Sequence, residues 1–289
     1  MAEGPLRRIG IIGGGTMGAG IAYAAARAGV AVRLAEADAA AAGALASRVA
    51  SDLDRDLARG LIDETGRAAT LALIEVVASV AELGGALDLV VEAVPERLEL
   101  KHLVLAEAEA LAPRLLASNT SSISIDALAE ALARPERLVG MHFFNPVRQM
   151  ALVEVVVGTA SDPGVVGAAS AAATQLGKEA LVVHDAPGFL TSRLGVLLGL
   201  EAIRMLESGL AAAEDIDRAM VLGYGHPMGP LRLTDLVGLD VRLGIARVLE
   251  EAYGPRFSPP PLLERLVAEG RLGRKAGRGF YDWPEPPAG

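Results

Sequence analysis

The chain has 289 residues, of which 52% are hydrophobic and 22% are charged, a composition typical of globular proteins with a sizeable core. Its length fits one large domain or two of ordinary size. The absence of cysteine excludes disulfides, thiol catalysis and cysteine-ligated metals. A formal net charge of −9, with no basic stripe along the sequence, argues against a nucleic-acid partner.

Targeting and metal-binding signals are also absent from the sequence. Residues 1–5 lead directly into the first predicted strand, which leaves no room for a signal peptide. No uncharged apolar segment reaches the ~18 residues that a membrane span needs. None of the four histidines forms a pair with the spacing of metal ligands. We therefore expect a cytoplasmic protein with no membrane partner and no bound metal.

The first predicted strand, Ile9–Ile12, leads through a glycine-rich turn into a helix of small and apolar residues, Met17–Ala26. Within the turn, Gly13, Gly15 and Gly18 have the spacing of dinucleotide-binding loops. The first glycine permits a tight turn, the second lets the backbone approach a diphosphate, and the third lets the helix pack closely on the strand. The N–H groups at the start of the helix would then hold the phosphates.

A second apolar run, Val30–Ala35, ends at Glu36, where a carboxylate can accept hydrogen bonds from both ribose hydroxyls of NAD. No arginine follows closely that would bind the 2′-phosphate of NADP. A glycine turn that binds no nucleotide is the alternative. The combination of strand, helix and acid favours a domain that binds NAD.

The pattern then alternates between helix and strand. Two predicted helices, Asp38–Arg59 and Asp63–Ile74, form a hairpin over residues 38–75 that could project toward a ligand. They are followed by predicted buried parallel strands at Val76–Ser79 and Leu87–Val94. A helix at Leu98–Leu111 and a further strand at Arg114–Ala117 come next. The polar run Ser118–Ser122 comes next, at the carboxyl end of a strand. Ligands bind there in open α/β sheets, although a plain loop with a helix cap would have the same residues.

His142 follows the predicted strand Arg137–Met141 and precedes a turn that contains Asn145. The next predicted strand, Leu152–Val157, carries one charged residue, Glu154, whose burial would be costly without a partner. The nearest suitable partner in sequence is His142, across the turn. An isolated histidine is more often a hydrogen-bonded core residue, but its place at a strand end beside polar residues favours a chemical role.

A helix at Asp162–Leu176 and a strand at Lys178–His184 complete the first half of the chain. Beyond them the apolar spacing is helical throughout, with predicted helices at Leu190–Leu206, Glu214–Leu222, Leu231–Tyr253 and Pro261–Val267. We therefore predict an α/β fold, with a doubly wound Rossmann-like sheet over residues 1–186 and an all-helical domain over residues 187–289. The tail Pro284–Gly289 is expected to be frayed.

Seven motifs, spread over nearly the whole chain, occur in the order found in one family. They are Gly13-Gly-Gly-Thr-Met-Gly18, Val91-Glu-Ala-Val-Pro-Glu96, Ser118-Asn-Thr-Ser-Ser122, His142-Phe-Phe-Asn-Pro146, Pro187-Gly-Phe189, Pro227-Met-Gly-Pro230 and Gly273-Arg-Lys-Ala-Gly-Arg-Gly-Phe-Tyr281. With them the chain resembles the L-3-hydroxyacyl-CoA dehydrogenases, including the bacterial 3-hydroxybutyryl-CoA type. The resemblance implies a two-domain enzyme that reversibly oxidises the 3-hydroxyl of an acyl-CoA with NAD, and a homodimer held by the helical domain.

The resemblance also implies roles for individual residues. His142 would be the catalytic base, Glu154 its carboxylate partner, and Ser121 and Asn145 the hydrogen-bonding residues around the substrate and the nicotinamide. Cofactor contacts would come from Gly13, Gly15, Thr16, Met17, Gly18, Glu36, Ala93, Glu96 and Lys101, together with Ser121 and Asn145. Arg59, at the end of the first helix of the hairpin, resembles the family's basic contact to CoA.

Ser192 departs from the family pattern, which usually has asparagine at this position. A serine hydroxyl is shorter than an asparagine side chain and lacks the two amide donors, so it would reach the substrate through a water. Two alternatives stay open. A sugar-acid dehydrogenase of the gulonate type would use the same fold without CoA, and a non-catalytic NAD-binding regulator or crystallin-like protein would keep the fold without turnover. The length of the acyl chain, and whether it ends in a second carboxylate, is also open.

Overall fold

The computed structural model describes residues 4–283, and the chain divides into two compact units between Ala186 and Pro187. The predicted tail, Pro284–Gly289, lies outside the described residues. Each unit has a hydrophobic core of its own. No helix in the described part of the chain combines the length and the apolar character that crossing a bilayer requires.

The first unit is built on one eight-stranded sheet. Its strands are β1 (Arg8–Ile12), β2 (Ala31–Ala35), β3 (Ile74–Val77), β4 (Leu89–Glu92), β5 (Leu115–Ser118), β6 (Leu138–Phe143), β7 (Leu152–Val157) and β8 (Glu179–His184). They are ordered β3-β2-β1-β4-β5-β6-β7-β8, and all neighbours are parallel except β6 and β7. Successive strands are added on one side of β1 up to β3 and on the other side from β4 onward. The position between β1 and β4 is therefore the switch point where nucleotides bind in doubly wound sheets. The predicted Rossmann-like fold is confirmed.

Helices form most of the connections between these strands. They are α1 (Thr16–Arg27), α2 (Ala39–Ala58), α3 (Glu64–Ala72), α4 (Leu98–Ala110), α5 (Ile125–Ala129) and α6 (Pro163–Gln175), with short 3₁₀ helices at Ala81–Leu83 and Pro135–Arg137. Asp38, Asp63 and Asp162 accept hydrogen bonds from backbone N–H groups in the first turns of α2, α3 and α6. Because these N–H groups have no partner within the helix, a carboxylate at the N-cap fixes where each helix begins.

The edge of the sheet differs from the prediction. The helix predicted to reach Ile74 ends at Ala72, and β3 begins at Ile74 rather than at Val76. β3 is also not buried, because it has a neighbouring strand on one side only, and Glu75 and Val76 are exposed. A short apolar run looks the same in sequence whether its strand lies at the edge or in the middle of a sheet.

The second unit contains α7 (Thr191–Glu207), α8 (Ala213–Tyr224), α9 (Pro230–Val237), α10 (Leu239–Tyr253) and α11 (Pro261–Ala268), with short 3₁₀ helices at Pro255–Phe257 and Arg274–Ala276. No β-strand occurs within residues 187–283, and the predicted helical domain is confirmed. The single helix predicted over Leu231–Tyr253 is wrong. Gly238 has a φ of 105°, a left-handed value that an α-helix does not contain, and it separates α9 from α10.

Candidate active site

The turn between β1 and α1 needs its three glycines for different reasons. A Cβ atom at Gly13, whose φ is +104°, would lie 2.7 Å from the carbonyl oxygen of Ala93, and one at Gly18 would lie 1.8 Å from that of Gly13. A Cβ atom at Gly15 would meet no atom within 4 Å. The first and third glycines therefore let the backbone pack closely, whereas the second leaves open space beside the start of α1.

A cavity of about 770 Å³ adjoins this loop. Five consecutive residues at the start of α1, Gly13 to Met17, line it together with Glu36 after β2 and Ala93 after β4. No side chain in the described residues caps the N-terminus of α1, so its first-turn N–H groups can bind an anionic group. The open position at Gly15 gives a diphosphate room to approach these groups.

Glu36 is fixed at the wall of this cavity by two backbone hydrogen bonds. Its Oε2 accepts from the N–H of Gly14 at 2.7 Å, and its Oε1 accepts from the N–H of Asp38 at 3.0 Å. A carboxylate held there can also accept from the ribose hydroxyls of a dinucleotide. The loop, the helix end and the acid therefore fit NAD.

Lys101 does not line this cavity. Its side chain is 1% exposed, and its ammonium donates to both carboxylate oxygens of Glu92, at 2.7 and 2.9 Å, and lies 3.2 Å from Glu96. Glu92 is fully buried and accepts a further hydrogen bond from Ser118 Oγ at 2.5 Å. The predicted contact between Lys101 and NAD stays a prediction. In the structure the ammonium is enclosed by the carboxylates of Glu92 and Glu96.

Sequence reasoning missed Glu92. The signal was present, since Glu92 is the one charged residue of an apolar strand, as Glu154 is of another. A buried carboxylate is costly unless it is paired, and the same argument that singled out Glu154 therefore applies to Glu92.

Glu96 organises the polar loop that follows β5. One of its carboxylate oxygens accepts from Thr120 Oγ1 at 2.6 Å and from the backbone N–H groups of Ser121 and Ser122, each at 2.9 Å. Burial by itself raises the pKa of Glu96, but the Lys101 ammonium and these hydrogen bonds outweigh it and lower the pKa to about 2. The loop is therefore held by an ionised carboxylate, while Ser121 is exposed.

His142 in β6 and Glu154 in β7 are paired directly across the antiparallel ladder, so their side chains lie on the same face of the sheet. His142 Nδ1 lies 2.8 Å from Glu154 Oε2. Glu154 is fully buried, and His142 is 6% exposed. Because the carboxylate accepts from Nδ1–H, the neutral ring carries its lone pair on Nε2. The arrangement is suited to proton transfer at Nε2.

Asn145 is exposed in the loop after β6 and lines a second cavity, of about 360 Å³, together with Thr16 of α1. Asn119 joins this region to the loop after β5, because its side-chain oxygen accepts from the N–H of Phe143 at 2.9 Å. The structure thus links the polar loop that carries Ser121 to the end of the strand that carries His142.

The other two predicted substrate residues, besides Ser121 and Asn145, belong to different units. Arg59 is exposed at the C-cap of α2 in the first unit, and Ser192 lies in the first turn of α7 in the second. Their roles stay predictions. Among residues 4–283 no group of three or more His, Asp or Glu side chains is arranged to hold a metal ion.

Two family models together match nearly the whole chain. Residues 8–186 match the model described as 3-hydroxyacyl-CoA dehydrogenase, NAD binding domain, and residues 188–283 match 3-hydroxyacyl-CoA dehydrogenase, C-terminal domain. These matches cover the sheet with its glycine loop and the helical unit, respectively.

Individual relatives agree with the family models. A 3-hydroxybutyryl-CoA dehydrogenase of Mycobacterium tuberculosis is 42% identical, covering 96% of this chain and 99% of that protein. A 3-hydroxyadipyl-CoA dehydrogenase of Escherichia coli is also 42% identical, covering 96% of this chain and 59% of that protein. The crystal structure of an (S)-3-hydroxybutyryl-CoA dehydrogenase from Ralstonia eutropha matches with a TM-score of 0.92 at 41% identity, covering 97% of this chain and all of that one.

The resemblance drawn from the seven motifs is therefore confirmed. The matched regions include the glycine loop and the buried pairs Glu92–Lys101 and His142–Glu154, and the match is similar in extent for sequence and for structure. The chain belongs to the 3-hydroxyacyl-CoA dehydrogenase family of NAD-dependent oxidoreductases.

Proposed function

We propose that this enzyme reversibly oxidises a (3S)-3-hydroxyacyl-CoA to the 3-oxoacyl-CoA, with His142 as the general base and Glu154 as its carboxylate partner. The observation that carries the proposal is the 2.8 Å contact between His142 Nδ1 and the fully buried Glu154. An imidazole can accept a proton near neutral pH, and a carboxylate behind it favours the protonated form.

Oxidation of a secondary alcohol requires that a proton leave the oxygen and a hydride leave the carbon. When NAD is bound, it supplies the hydride acceptor. His142 Nε2 takes the hydroxyl proton, while Glu154 holds the ring in the required tautomer and stabilises the imidazolium that forms. In the reverse direction the imidazolium returns this proton to the oxygen.

Ser121 and Asn145 are proposed to hydrogen-bond the substrate and the nicotinamide. Glu96 fixes the backbone of Ser121 at 2.9 Å but lies 3.4 Å from its hydroxyl, a long contact that leaves the hydroxyl able to donate elsewhere. A donor that is already positioned stabilises charge on the reacting oxygen without reorganisation.

The cofactor and the substrate have separate sets of proposed contacts. Gly13, Gly15 and the start of α1 hold the diphosphate of NAD, and Glu36 holds its ribose. Arg59 and Ser192 are proposed to contact the acyl-CoA. A 3-hydroxybutyryl-CoA dehydrogenase and a 3-hydroxyadipyl-CoA dehydrogenase are equally similar to this chain. A series of acyl groups of different length and charge, assayed with NADH, therefore assigns the acyl group.

A homodimer formed through the helical unit is part of the proposal. Among the described residues, this unit exposes twelve large apolar side chains, whereas the larger α/β unit exposes six. Such residues are candidates for a protein–protein contact. Leu222, which is 71% exposed in α8, is one of them, and Leu222→Glu is expected to give monomers in light scattering. A cytoplasmic location is also proposed, because the chain contains no cysteine that would need an oxidising compartment.

Reduction of acetoacetyl-CoA by NADH, compared with oxidation of free gulonate by NAD, tests the proposed function. Turnover of acetoacetyl-CoA and not of gulonate is the expected result. Turnover of gulonate alone would instead support the sugar-acid alternative. NADH binding without turnover of any substrate would support a regulator or a crystallin-like protein.

A further inference from the structure

The loop between β6 and β7, residues 144–151, follows His142 and carries Asn145. Two contacts hold its inner side, one with α1 and one with Lys178, the residue before β8. Val147 packs so closely on α1 that a Cβ atom at Gly20 would lie 2.7 Å from a methyl group of Val147. The buried ammonium of Lys178 donates to the carbonyl oxygens of Val147 and Met150. These contacts fix the inner side of the loop.

The outer side of the loop is held by an ion pair that reaches α2. Arg148 Nη1 donates to Asp56 Oδ1 at 3.0 Å, and Arg148 Nε lies 3.6 Å from Asp52 Oδ1. The Arg148 side chain is 8% exposed and that of Asp56 is 3% exposed, so this pair is largely shielded from water. A pair in such surroundings is screened little by salt, and loss of one partner leaves an uncompensated charge.

Asp56 has two further partners, both on α1. The hydroxyl of Tyr23 donates to Asp56 Oδ2, and Arg27 Nε lies 3.5 Å from the same oxygen. Burial and the neighbouring carboxylate raise the pKa of Tyr23 to about 12, so its hydroxyl stays a donor at neutral pH. Asp56 therefore joins three elements: α1, α2 and the loop that carries Asn145.

The cavity of about 360 Å³ lies between the elements that this carboxylate joins. Asn145 and its neighbours in the loop line one side, Ala19 and Gly20 of α1 also contribute, and α2 supplies Ser47, Arg48, Ser51, Asp52 and Arg55. Asp52 lines the cavity and also contacts Arg148. The contacts of Arg148 with Asp52 and Asp56 therefore fix the distance between the loop and α2 at a point next to the cavity.

We propose that Arg148 is a positioning residue, which through Asp56 fixes Asn145 and the width of the cavity between the β6–β7 loop and α2. The inference rests on the proposed function, because it takes this cavity as part of the acyl-CoA site. Arg148 touches neither substrate nor cofactor in this account. Its effect is to keep the polar wall of α2 and the side chain of Asn145 at the separation that the acyl-CoA requires.

Arg148→Met tests the inference, with Arg67→Met as the matched control. Arg67 also pairs with an aspartate of α2, 2.7 Å from Asp54, but it comes from α3 and does not line the cavity. In Arg148→Met the KM for acetoacetyl-CoA should rise about 10-fold or more, because displacing a binding group by about 1 Å can cost up to about 100-fold. The KM for NADH should rise much less, because the glycine loop and Glu36 keep their contacts with the cofactor, and Arg67→Met should change neither KM.

A purely structural role would lower the free energy of unfolding without changing the KM of the folded protein, so both are measured. Arg148→Lys keeps a positive charge that can reach Asp56, so its KM for acetoacetyl-CoA should lie between those of Arg148→Met and the wild-type enzyme. If Arg148→Met does not fold, the KM of Arg148→Lys is measured in its place. The KM of the double variant Asp56→Asn/Arg148→Met should be no higher than that of Arg148→Met alone, because the two residues position the loop as a pair. Loss of the contacts of Asp56 with Tyr23 and Arg27 should appear in the free energy of unfolding instead.

A wild-type KM for acetoacetyl-CoA in Arg148→Met, or additive effects on this KM in the double variant, would overturn the inference and leave the proposed function intact. Failure of the wild-type protein to turn over any acyl-CoA would instead overturn the proposed function. In that case the affinity for CoA itself, measured by titration calorimetry in the wild-type protein and in Arg148→Met, tests the positioning role of Arg148. Weaker CoA binding by Arg148→Met would support its positioning role, and unchanged binding would contradict it.

Discussion

Two fully buried glutamates, Glu92 in β4 and Glu154 in β7, lie in apolar strands of the same sheet but have different partners. Glu92 is paired with the ammonium of Lys101 at 2.7 Å and also accepts from Ser118. Glu154 is paired with the imidazole of His142 at 2.8 Å. In both strands a partner offsets the cost of the buried carboxylate, and this partner is an ammonium for Glu92 and an imidazole for Glu154.

Because the partners differ, we expect the Glu92 pair to stabilise the fold and the Glu154 pair to take part in proton transfer. The Lys101 ammonium is enclosed between two carboxylates, so we expect the Glu92 pair to hold the chain in place. An imidazole gains and loses a proton near neutral pH, so the Glu154 pair can take a proton from a substrate and return it. We expect substitutions at the two pairs to differ accordingly in their effects on kcat and on stability.

His142→Gln should have the largest effect on kcat. Glutamine keeps a polar side chain but has no group that accepts a proton near neutral pH, and loss of a general base costs up to about 10⁴-fold. Steady-state reduction of acetoacetyl-CoA measures the loss, and NADH binding by fluorescence serves as the control. Turnover close to wild type would mean that this strand pair plays no part in proton transfer.

Glu154→Gln should lower kcat by roughly 10³-fold, between the loss of the base and the loss of a single hydrogen bond. The amide no longer stabilises the imidazolium and does not enforce the tautomer with the lone pair on Nε2. The dissociation constant of NADH should change little, because the side chain does not line the nucleotide cavity. Equal losses of kcat and of NADH affinity would contradict the separation of roles.

Ser121→Ala should lower kcat by about 100-fold, the lower end of what is seen when one donor to a developing charge is removed. The backbone N–H of Ser121 would still donate to Glu96, so the loop should keep its position. Thr120→Val is the contrasting variant, since it removes a hydroxyl that bonds Glu96 itself. A wild-type kcat in Ser121→Ala would show that the hydroxyl of Ser121 does not take part in the reaction.

Glu92→Gln should affect kcat least and stability most. The buried Lys101 would lose the nearer of its two charged partners, at 2.7 Å, and breaking a buried pair typically costs about 3–5 kcal/mol. Urea unfolding measures this loss, and the kcat of the folded fraction should fall far less than in Glu154→Gln. If Glu92→Gln lost activity as strongly as Glu154→Gln, the comparison between the two pairs would break down.

Much of the fold and of the site could be predicted because the deciding interactions are local in sequence. The glycine spacing at Gly13, Gly15 and Gly18 reflects backbone contacts within one turn, which residue type alone reveals. Adjacent antiparallel strands joined by a short connection bring His142 opposite Glu154, so one buried charge indicated its neighbour.

The sequence patterns did not reveal some other features, for different reasons. Lys101 is buried because it pairs with Glu92, whose other partner, Ser118, comes from a neighbouring strand 26 positions further on. The ion pair of Arg148 with Asp56 joins residues 92 positions apart. The break at Gly238 interrupts an apolar period that continues on both sides of it, so the pattern predicted one helix where there are two.

The central claim, that His142 backed by Glu154 transfers the proton, is tested most directly by the pH dependence of kcat for 3-hydroxyacyl-CoA oxidation. The ring must be neutral to accept a proton, so kcat falls on the acid side of the profile. We predict that Glu154→Gln moves this acid limb to lower pH, because a neutral amide no longer stabilises the protonated ring, while Glu92→Gln leaves it in place. An acid limb at the same pH in the wild-type enzyme and in Glu154→Gln would contradict the account.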